Sequence, residues 1–392
     1  MKKRILTLLL VLFLGLSTPF AQDVVLSSGT PEEAGMSGAI LKEGVRFFKQ
    51  AVERDDLRGV VLLVARNGKI VLHEAIGWRN KDKKIPMEKD TMFRMASNTK
   101  PIIATAISIL VEEKKLNYND NVRKHIPSFD NYRSGFIKIH HLLTHTSGFR
   151  IRSIFYRPLI QKSAEHPDAP NLQLEVARFG ETGADEMPGS TYSYSNAGFN
   201  TLGALIEIAS KQPLELFVTE KIYKHLGMTD SYHHEVAERL DGKLKRMSVV
   251  YGRKKEKWVP AWSPGDPPQY PFIRASGGMI STAMDYAVFC QMFLNGGIYD
   301  GKRILKEETV KLMTSPHTAS IYTAEEREKR TGFYGYGWSV SKDGVFSHGG
   351  SDGTAAWVDP EKKLIILVFT QTRGGGSLRA PFLEMVHASI RR

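Results

Sequence analysis

The chain of 392 residues carries 54 Lys and Arg side chains against 42 Asp and Glu, which gives a net charge of +12 at pH 7. Its basic residues are scattered, with short clusters at 81–84 and 253–257, and this excludes the continuous basic footprint of a nucleic-acid-binding protein. Cys290 is the only cysteine, so an intrachain disulfide is excluded and stability must come from a core. The length fits one large domain or two interleaved ones.

The first 21 residues have the pattern of an export signal. A basic start over 1–4 is followed by an apolar run over 5–14 and a small residue at Ala21, as in secretory signals, although Pro19 stands where a small residue is usual. The alternative is an uncleaved anchor, for which the run is short, since a span needs about 20 apolar residues. We expect a periplasmic or secreted domain over 22–392 with no later membrane span.

Two hairpins lie near opposite ends of the chain. After an amphipathic helix predicted over 37–55, Asn67-Gly68 separates the β-rich runs 60–66 and 69–75, which is a strong hairpin signal. Near the other end, the runs 355–358 and 364–370 flank a second turn.

The region between these hairpins has mostly helical patterns and loops. We therefore predict an α+β fold, an α/β sandwich whose antiparallel sheet is built from about 30–115 and 330–392 and flanked by helices. A mostly helical part, about 116–329, is inserted between the two sheet segments. The cleft between the two parts is the expected site.

The first of three chemical motifs is Ser97-Asn98-Thr99-Lys100. A long apolar helix is predicted over 102–115, with Pro101 in its first turn, so Ser97 lies at a helix N-terminus that favours an oxyanion. Ser97 and Lys100 then share a helix face, and an amine with a lowered pKa can take the hydroxyl proton. The alternative is an ordinary N-cap serine.

The same S-x-x-K pattern recurs at Ser339 and Lys342. No long helix follows this second copy, so we interpret it as a chance match.

The second motif, Tyr194-Ser195-Asn196, lies on a turn before the helical pattern 201–208 and is the only Tyr-x-Asn in the chain. A tyrosine near two cations is expected to have a lowered pKa and to relay a proton to the leaving group. Asn196 is expected to orient Lys100 or a substrate carbonyl. The alternative is an ordinary pair of turn residues.

The third motif is His348-Gly349-Gly350, after a short predicted strand. Its glycines let an extended substrate lie close along a strand edge and add backbone hydrogen bonds. We predict that the backbone N–H groups of Ser97 and Ser351 form an oxyanion hole. His348 is expected to hold the charges of the other site residues in their working states.

With these three motifs, the chain resembles the serine β-lactamase-related, penicillin-recognising hydrolases, which include class C-like β-lactamases, D-amino-acid peptidases and carboxypeptidases, and esterases. Further matching stretches are 142–148, 188–189, 275–283, 336–338 and 348–353, and the resemblance covers roughly residues 30 to 390. It implies a β-lactamase/transpeptidase-like fold. It also implies Ser97 as nucleophile, Lys100 and Tyr194 as the acid/base pair, and Asn196 and His348 as supporting groups.

One departure from that family changes the expected substrate. Members that hydrolyse β-lactams efficiently usually carry Lys where this chain has His348, so the resemblance favours an esterase or D-amino-acid peptidase. A true β-lactamase and a non-catalytic binding protein remain the alternatives. We expect a small ester, amide or peptide as substrate and neither a cofactor, a metal nor a nucleic-acid partner. The sequence leaves the oligomeric state open.

A rival nucleophile is Ser351, since 349–353 matches the G-x-S-x-G elbow of lipases. Asp359 and His387 follow in the order of a triad. The elbow requires a helix after the serine, whereas 354–358 has a strand pattern.

A rival metal site is the pair His141 and His145, which has helical ligand spacing. It lacks the Glu after the first His that a zinc hydrolase of this type uses.

The segment from Arg150 to Met187 is a candidate cleft wall that selects the substrate, with Arg152, Phe155, Tyr156 and Arg157. The alternative is a surface loop.

Overall fold

The computed structural model describes residues 23–149, 155–234, 240–255, 257–268 and 270–391. The predicted signal segment and Arg152 lie outside these residues. The strands are β1 (Ser27–Ser28), β2 (Gly59–Arg66), β3 (Lys69–Asn80), β4 (Ile85–Pro86), β5 (Phe93–Arg94), β6 (Tyr232–His233), β7 (Val250–Lys254), β8 (Lys257–Trp262), β9 (Met279–Ser281), β10 (Ile298–Tyr299), β11 (Lys302–Arg303), β12 (Gly332–Tyr334), β13 (Ser339–Ser341), β14 (Phe346–Gly349), β15 (Thr354–Asp359) and β16 (Leu364–Thr370). The helices are α1 (Gly38–Glu53), α2 (Thr99–Glu112), α3 (Ile139–Leu143), α4 (Leu172–Thr182), α5 (Asn196–Ser210), α6 (Leu214–Val218), α7 (Lys224–Leu226), α8 (Ala283–Leu294), α9 (Glu307–Met313), α10 (Ala324–Lys329) and α11 (Arg379–Ala388).

A nine-stranded sheet takes its strands from both ends of the chain. Its order is β1-β3-β2-β16-β15-β14-β13-β12, with β4 beside β3, and every pair is antiparallel except β1 with β3. Both predicted hairpins are present, as β2–β3 and β15–β16. The predicted fold class is therefore confirmed.

Helices cover both faces of this sheet. Alternate residues of a strand point to opposite faces, and in β2 the side chains of Val60, Leu62 and Val64 pack in a core with helices α1 and α11. Val61 and Leu63 pack on the other face, in the larger core that includes α2 and α8. Burial on both faces explains the continuous apolar run of β2.

The middle of the chain contains short strands as well as the predicted helices and loops. Strand β9 lies between β5 and β6 in a three-stranded sheet, and β7 pairs with β8. The Met95 N–H donates to the Met279 carbonyl at 2.9 Å, which holds the first residue of β9 beside the segment that leads into α2. Among the described residues, no helix is long and apolar enough to cross a membrane.

Candidate active site

Ser97 lies in a 3₁₀ turn, Ala96–Asn98, that runs directly into α2. Ala96, the residue before Ser97, has φ = +46°, in the left-handed region that a residue with a Cβ rarely adopts. Thr354 of β15 braces the turn, because its hydroxyl donates to the Met95 carbonyl at 3.1 Å and accepts from Asn98 Nδ2 at 2.9 Å. The nucleophile candidate is thus held at a helix N-terminus, as the sequence predicts.

Gly350 allows the third motif to approach this turn. A Cβ at Gly350 would lie 2.4 Å from the Met95 carbonyl oxygen and 3.3 Å from the Cβ of Ala96. Contacts this short do not occur between backbone oxygen and Cβ atoms, so the end of β14 and the start of α2 can pack this closely only with glycine here.

Lys100 is fully buried, and three oxygen atoms surround its amine. Lys100 Nζ lies 3.1 Å from Ser97 Oγ, 2.9 Å from Asn196 Oδ1 and 2.9 Å from the Ser276 carbonyl. Two of these oxygens are carbonyls and only accept hydrogen bonds, whereas the hydroxyl of Ser97 can donate. An ammonium that donates to all three oxygens fits these distances, and so does a neutral amine that donates to the two carbonyls and accepts from Ser97.

The surroundings of Lys100 favour this neutral form. Burial lowers the pKa of Lys100 well below its ordinary value, and the charge of Arg274 lowers it further. The amine also lies 4.7 Å from the ring centroid of Tyr194 and 5.4 Å from that of Phe199. These ring faces attract a cation, so they can stabilise the ammonium that forms when a proton arrives.

The second motif lies at the start of α5. Ser195 is the N-cap and its hydroxyl accepts from the Gly198 N–H at 3.1 Å, which fixes Tyr194 and Asn196 on either side of the cap. Tyr194 is 41% exposed, and the side chain of Ser97 lies close enough to its hydroxyl to affect its pKa.

The expected direction of the Tyr194 pKa shift was wrong. Although 41% of the residue is exposed, the atoms packed around its hydroxyl remove it from water, and this raises the pKa of Tyr194 above its ordinary value. The interaction with Ser97 lowers the pKa by less, and Tyr192 raises it further. Tyr194 therefore keeps its proton at neutral pH and is a candidate proton donor.

His348 is also neutral, because burial and then the charge of Lys100 lower its pKa to about 3. Its Nδ1 donates to its neighbour's carbonyl, Gly349 O, at 2.9 Å, and its Nε2 accepts from the hydroxyl of Tyr334 at 2.9 Å. Within the described ranges, no hydrogen bond joins His348 to the residues of the first two motifs. It forms a wall of the site, 6.4 Å from the Tyr194 ring, and Tyr334, which the sequence reasoning missed, supports it.

A polar cavity of about 60 Å³ opens directly onto Ser97 and is also lined by Asn196, Ser276 and Ser351. The backbone N–H groups of Ser97 and Ser351 donate to no acceptor among the residues that the structure describes. The cavity also borders the buried ion pair of Arg94 and Asp352, whose closest atoms are 3.4 Å apart. Two unoccupied N–H donors beside a hydroxyl are the arrangement that an oxyanion requires.

Both rival sites lack the geometry they need. Ser351 is followed by a turn and then β15, so the strand–turn–helix of a lipase elbow is absent there. His141 and His145 each use Nδ1 to accept a backbone N–H, from Lys138 at 3.1 Å and from Ser195 at 3.0 Å. Across the described ranges, no three His, Cys, Asp or Glu side chains are grouped as metal ligands.

Three contributors to the site were missed by reasoning from motifs alone. The Ser276 carbonyl holds Lys100, and Ser276 is itself fixed because its N–H donates to Asn200 Oδ1 at 3.0 Å. The ring of His145 lies beneath Tyr194, with centroids 4.2 Å apart. Ser276 and His145 lie in the stretches 275–283 and 142–148, so the resemblance contained a signal for both, but not for Asn200.

The segment proposed as a cleft wall divides into buried and exposed parts. Phe155 is buried against Phe179 and Tyr270, with ring centroids 6.5 Å and 5.5 Å away, whereas Tyr156 is 61% exposed. A much larger cavity, about 740 Å³, is lined by residues of 165–174 and 271–273 with Glu207 and His234, and by no motif residue. A choice of active site by cavity size alone would therefore miss Ser97 and the residues around it.

A family model described as Beta-lactamase matches residues 45–385 of this chain. The chain belongs to the β-lactamase family. An N-acetylmuramyl-L-alanine amidase of Bacillus subtilis is 24% identical over 370 residues, covering 84% of this chain and 81% of the relative. Esterase EstB of Burkholderia gladioli is 35% identical over 193 residues, covering 47% and 49%. The relatives of this β-lactamase-family chain thus include hydrolases of esters and amides.

A solved structure gives the same result for the fold. D-amino acid amidase from Ochrobactrum anthropi SV3 superposes with a TM-score of 0.69 at 22% identity, covering 89% of this chain and 99% of the other. At that identity, the likeness establishes the β-lactamase-type fold.

Proposed function

We propose that this protein is an exported serine hydrolase that cleaves a carboxylic ester or amide through an acyl-enzyme on Ser97. The observation that carries the proposal is the trio of oxygen atoms around Lys100 Nζ, at 3.1, 2.9 and 2.9 Å. Because burial favours the neutral form of Lys100, the amine can donate to the two carbonyl oxygens and turn its lone pair towards the hydroxyl of Ser97. A desolvated amine of this kind is a general base at neutral pH.

In acylation, Ser97 Oγ attacks the substrate carbonyl while its proton moves to Lys100 Nζ. The new ammonium keeps Asn196 and Ser276 as acceptors and gains the attraction of the ring faces of Tyr194 and Phe199. Such ring contacts contribute about 0.5–2 kcal/mol to stabilising a cation. The developing oxyanion accepts from the N–H groups of Ser97 and Ser351.

Tyr194 completes the proton transfers. Its neutral hydroxyl gives a proton to the leaving oxygen or nitrogen as the tetrahedral intermediate collapses, and it takes a proton back from the Lys100 ammonium. The effect of the Ser97 side chain on the pKa of Tyr194 supports this role, since it requires the hydroxyl to lie near the proposed nucleophile. Water then attacks the acyl-enzyme, with the same groups acting in reverse.

The expected substrates are simple esters or D-amino-acid amides. The relatives named above are an esterase and amidases, which supports both classes. His348 is neutral and uses both ring nitrogens in hydrogen bonds, so it offers no cation to a β-lactam carboxylate. We therefore expect p-nitrophenyl esters and a D-amino-acid amide to be hydrolysed faster than nitrocefin; fast nitrocefin turnover would instead assign a β-lactamase.

The deciding experiment is mass spectrometry of the protein after reaction with a fluorophosphonate. The adduct is expected on the peptide that contains Ser97. An adduct on Ser351 or Ser339 would assign a different nucleophile, and no adduct together with no turnover would identify a non-catalytic binding protein.

Export is the part of the proposal that rests on the first 21 residues alone. Expression in a bacterial host with fractionation and N-terminal sequencing tests it. A periplasmic or secreted product that begins near Gln22 is expected. A cytoplasmic product that retains Met1 would contradict export, and a membrane-bound one would identify an anchor.

A further inference from the structure

We infer that His145 is a positioning residue that holds Tyr194 in place to protonate the leaving group. The inference rests on the proposed function, since it concerns the same proton donor. His145 touches no atom of the nucleophile turn among its described contacts. Its effect would pass through Tyr194.

The backbone and ring of His145 hold both sides of Tyr194. The His145 carbonyl accepts from the Ser193 N–H at 2.8 Å, and its Nδ1 accepts from the Ser195 N–H at 3.0 Å. His145 follows the end of α3 and has φ = +59°, a left-handed conformation, which lets it reach both N–H groups. The residues before and after Tyr194 are thus fixed by one side chain and one carbonyl.

The ring of His145 also sets the plane of the Tyr194 ring. The two centroids lie 4.2 Å apart with an interplanar angle of 38°. Behind the imidazole are the rings of Phe199, 5.0 Å away, and Tyr334, 4.7 Å away. Lys100 Nζ lies 4.7 Å from the Tyr194 centroid, so tilting of this ring would change the distance between the donor and the base.

The protonation state of His145 fits this positioning role. Because Nδ1 accepts a hydrogen bond, the ring proton must be on Nε2, and that buried nitrogen has no hydrogen-bond partner among the residues that the structure describes. Burial is the main cause that lowers the pKa of His145 well below its ordinary value, which keeps the acceptor available. A phenylalanine would pack here without an orphaned donor. It would not supply the acceptor that holds Ser195.

The test compares substrates that share an acyl group but differ in their leaving group. A p-nitrophenolate leaves without a proton, whereas an alkoxide or amine needs one. General acid catalysis contributes about 10²–10⁴-fold, so we expect His145→Phe to lower kcat/KM for an ethyl ester about tenfold or more. The p-nitrophenyl ester should change less than about threefold by the same reasoning. Asn tolerates the left-handed backbone and carries an acceptor, so His145→Asn should recover part of the loss.

Two further variants make the outcomes distinguishable. His141→Phe is the matched control. His141 lies on α3, one turn before His145, and its Nδ1 also accepts a backbone N–H, but its described ring contacts do not include Tyr194. Tyr194→Phe is the reference and should show the largest leaving-group dependence. If Tyr194→Phe shows the dependence and His145→Phe slows all esters equally, positioning by His145 is overturned and the proposed function stands. If Tyr194→Phe shows none, the proposed acid itself fails.

A measurement on the unmodified protein tests the inference even if the variants do not fold. Histidine ¹⁵N NMR should show His145 with an unprotonated Nδ1 throughout the range pH 5–9, about the range in which an ordinary histidine loses its charge. An Nδ1-protonated ring, or titration of His145 within that range, would overturn the inference.

Discussion

The chain contains the S-x-x-K pattern twice, and the two copies differ in burial and in secondary structure. Ser97 and Lys100 lie at the start of α2, where three-residue spacing puts both on one face and Lys100 is fully buried. Ser339 and Lys342 lie at β13, where strand residues three apart point to opposite faces, and both are exposed. Lys342 donates instead to the Glu328 carbonyl at 2.7 Å. The difference teaches that burial and helical geometry, rather than the S-x-x-K pattern itself, make the first copy the candidate nucleophile and base.

Replacing the two serines tests this contrast with the largest expected effect. Ser97→Ala should abolish ester hydrolysis, by about 10⁶-fold in kcat if the site behaves like other serine hydrolases that lose their nucleophile. Ser339→Ala should leave kcat/KM within about twofold, as surface substitutions away from a site do. Steady-state kinetics on a p-nitrophenyl ester measures both variants. Similar losses of activity in the two would contradict the assignment of Ser97 as the nucleophile.

Replacing the two lysines should produce the next largest effect. Lys100→Met keeps the length of the side chain but removes the base, so kcat should fall about 10²–10⁴-fold. Lys342→Met should leave kcat unchanged. Circular dichroism and thermal unfolding must show that Lys100→Met is folded, since it leaves Asn196 Oδ1 without its partner. A folded Lys100→Met enzyme with more than half of the wild-type kcat would exclude Lys100 as the base.

Gly350→Ala tests whether the tight contact between the third motif and the nucleophile turn matters. The added Cβ would meet the Met95 carbonyl at 2.4 Å, so the turn must shift. We expect a loss of about 1–3 kcal/mol in the free energy of unfolding, and up to about 100-fold in kcat if Ser97 moves by about 1 Å. Gly252→Ala is the control, because its Cβ would meet nothing closer than 3.6 Å. Equal effects of the two substitutions would contradict the requirement for glycine at 350.

The pH dependence of kcat/KM tests whether Lys100, unlike the exposed Lys342, acts as a neutral amine. Only neutral Lys100 is a base, so activity should rise as pH increases through the pKa of Lys100 and then level off. Burial lowers that pKa, so the plateau should begin well below the ordinary lysine value of about 10.4. Because the pKa of Tyr194 is raised, activity should fall only at strongly alkaline pH. Activity that keeps increasing up to pH 10 would place Lys100 in an ordinary environment.

The smallest effect is expected in stability at acidic pH. Burial lowers the pKa of His348 to about 3 and, as the main cause, those of His140, His141 and His233 to about 4. In the unfolded chain these histidines have pKa values of about 6.5, so the unfolded state binds more protons than the folded state between about pH 6.5 and 4. Stability is therefore present above this window and falls as pH decreases through it. Urea unfolding at several pH values should show a shallower decline in the free energy of unfolding for His348→Gln than for the wild type.

The sequence predicted the sheet and the motif contexts well, because both depend on local patterns. Asn67-Gly68 forms its hairpin, and the apolar run after Ser97 forms α2. The short strands β5, β6 and β9 were not predicted, since each has only two or three residues and depends on partners far along the chain. The pKa direction of Tyr194 was wrong because it depends on burial, which no local pattern reports.

By itself, the sequence determined which residues are available for the chemistry: a Ser three residues before a Lys at a helix start, a Tyr-Ser-Asn turn before a second helix, and a His-Gly-Gly strand end. Only the tertiary structure decided what these residues can do. It removes Lys100 from water, adds the Ser276 carbonyl from a distant segment and places His145 beneath Tyr194. Desolvation and long-range contacts set proton affinities, so the chemistry of the site arises from the fold rather than from the motifs.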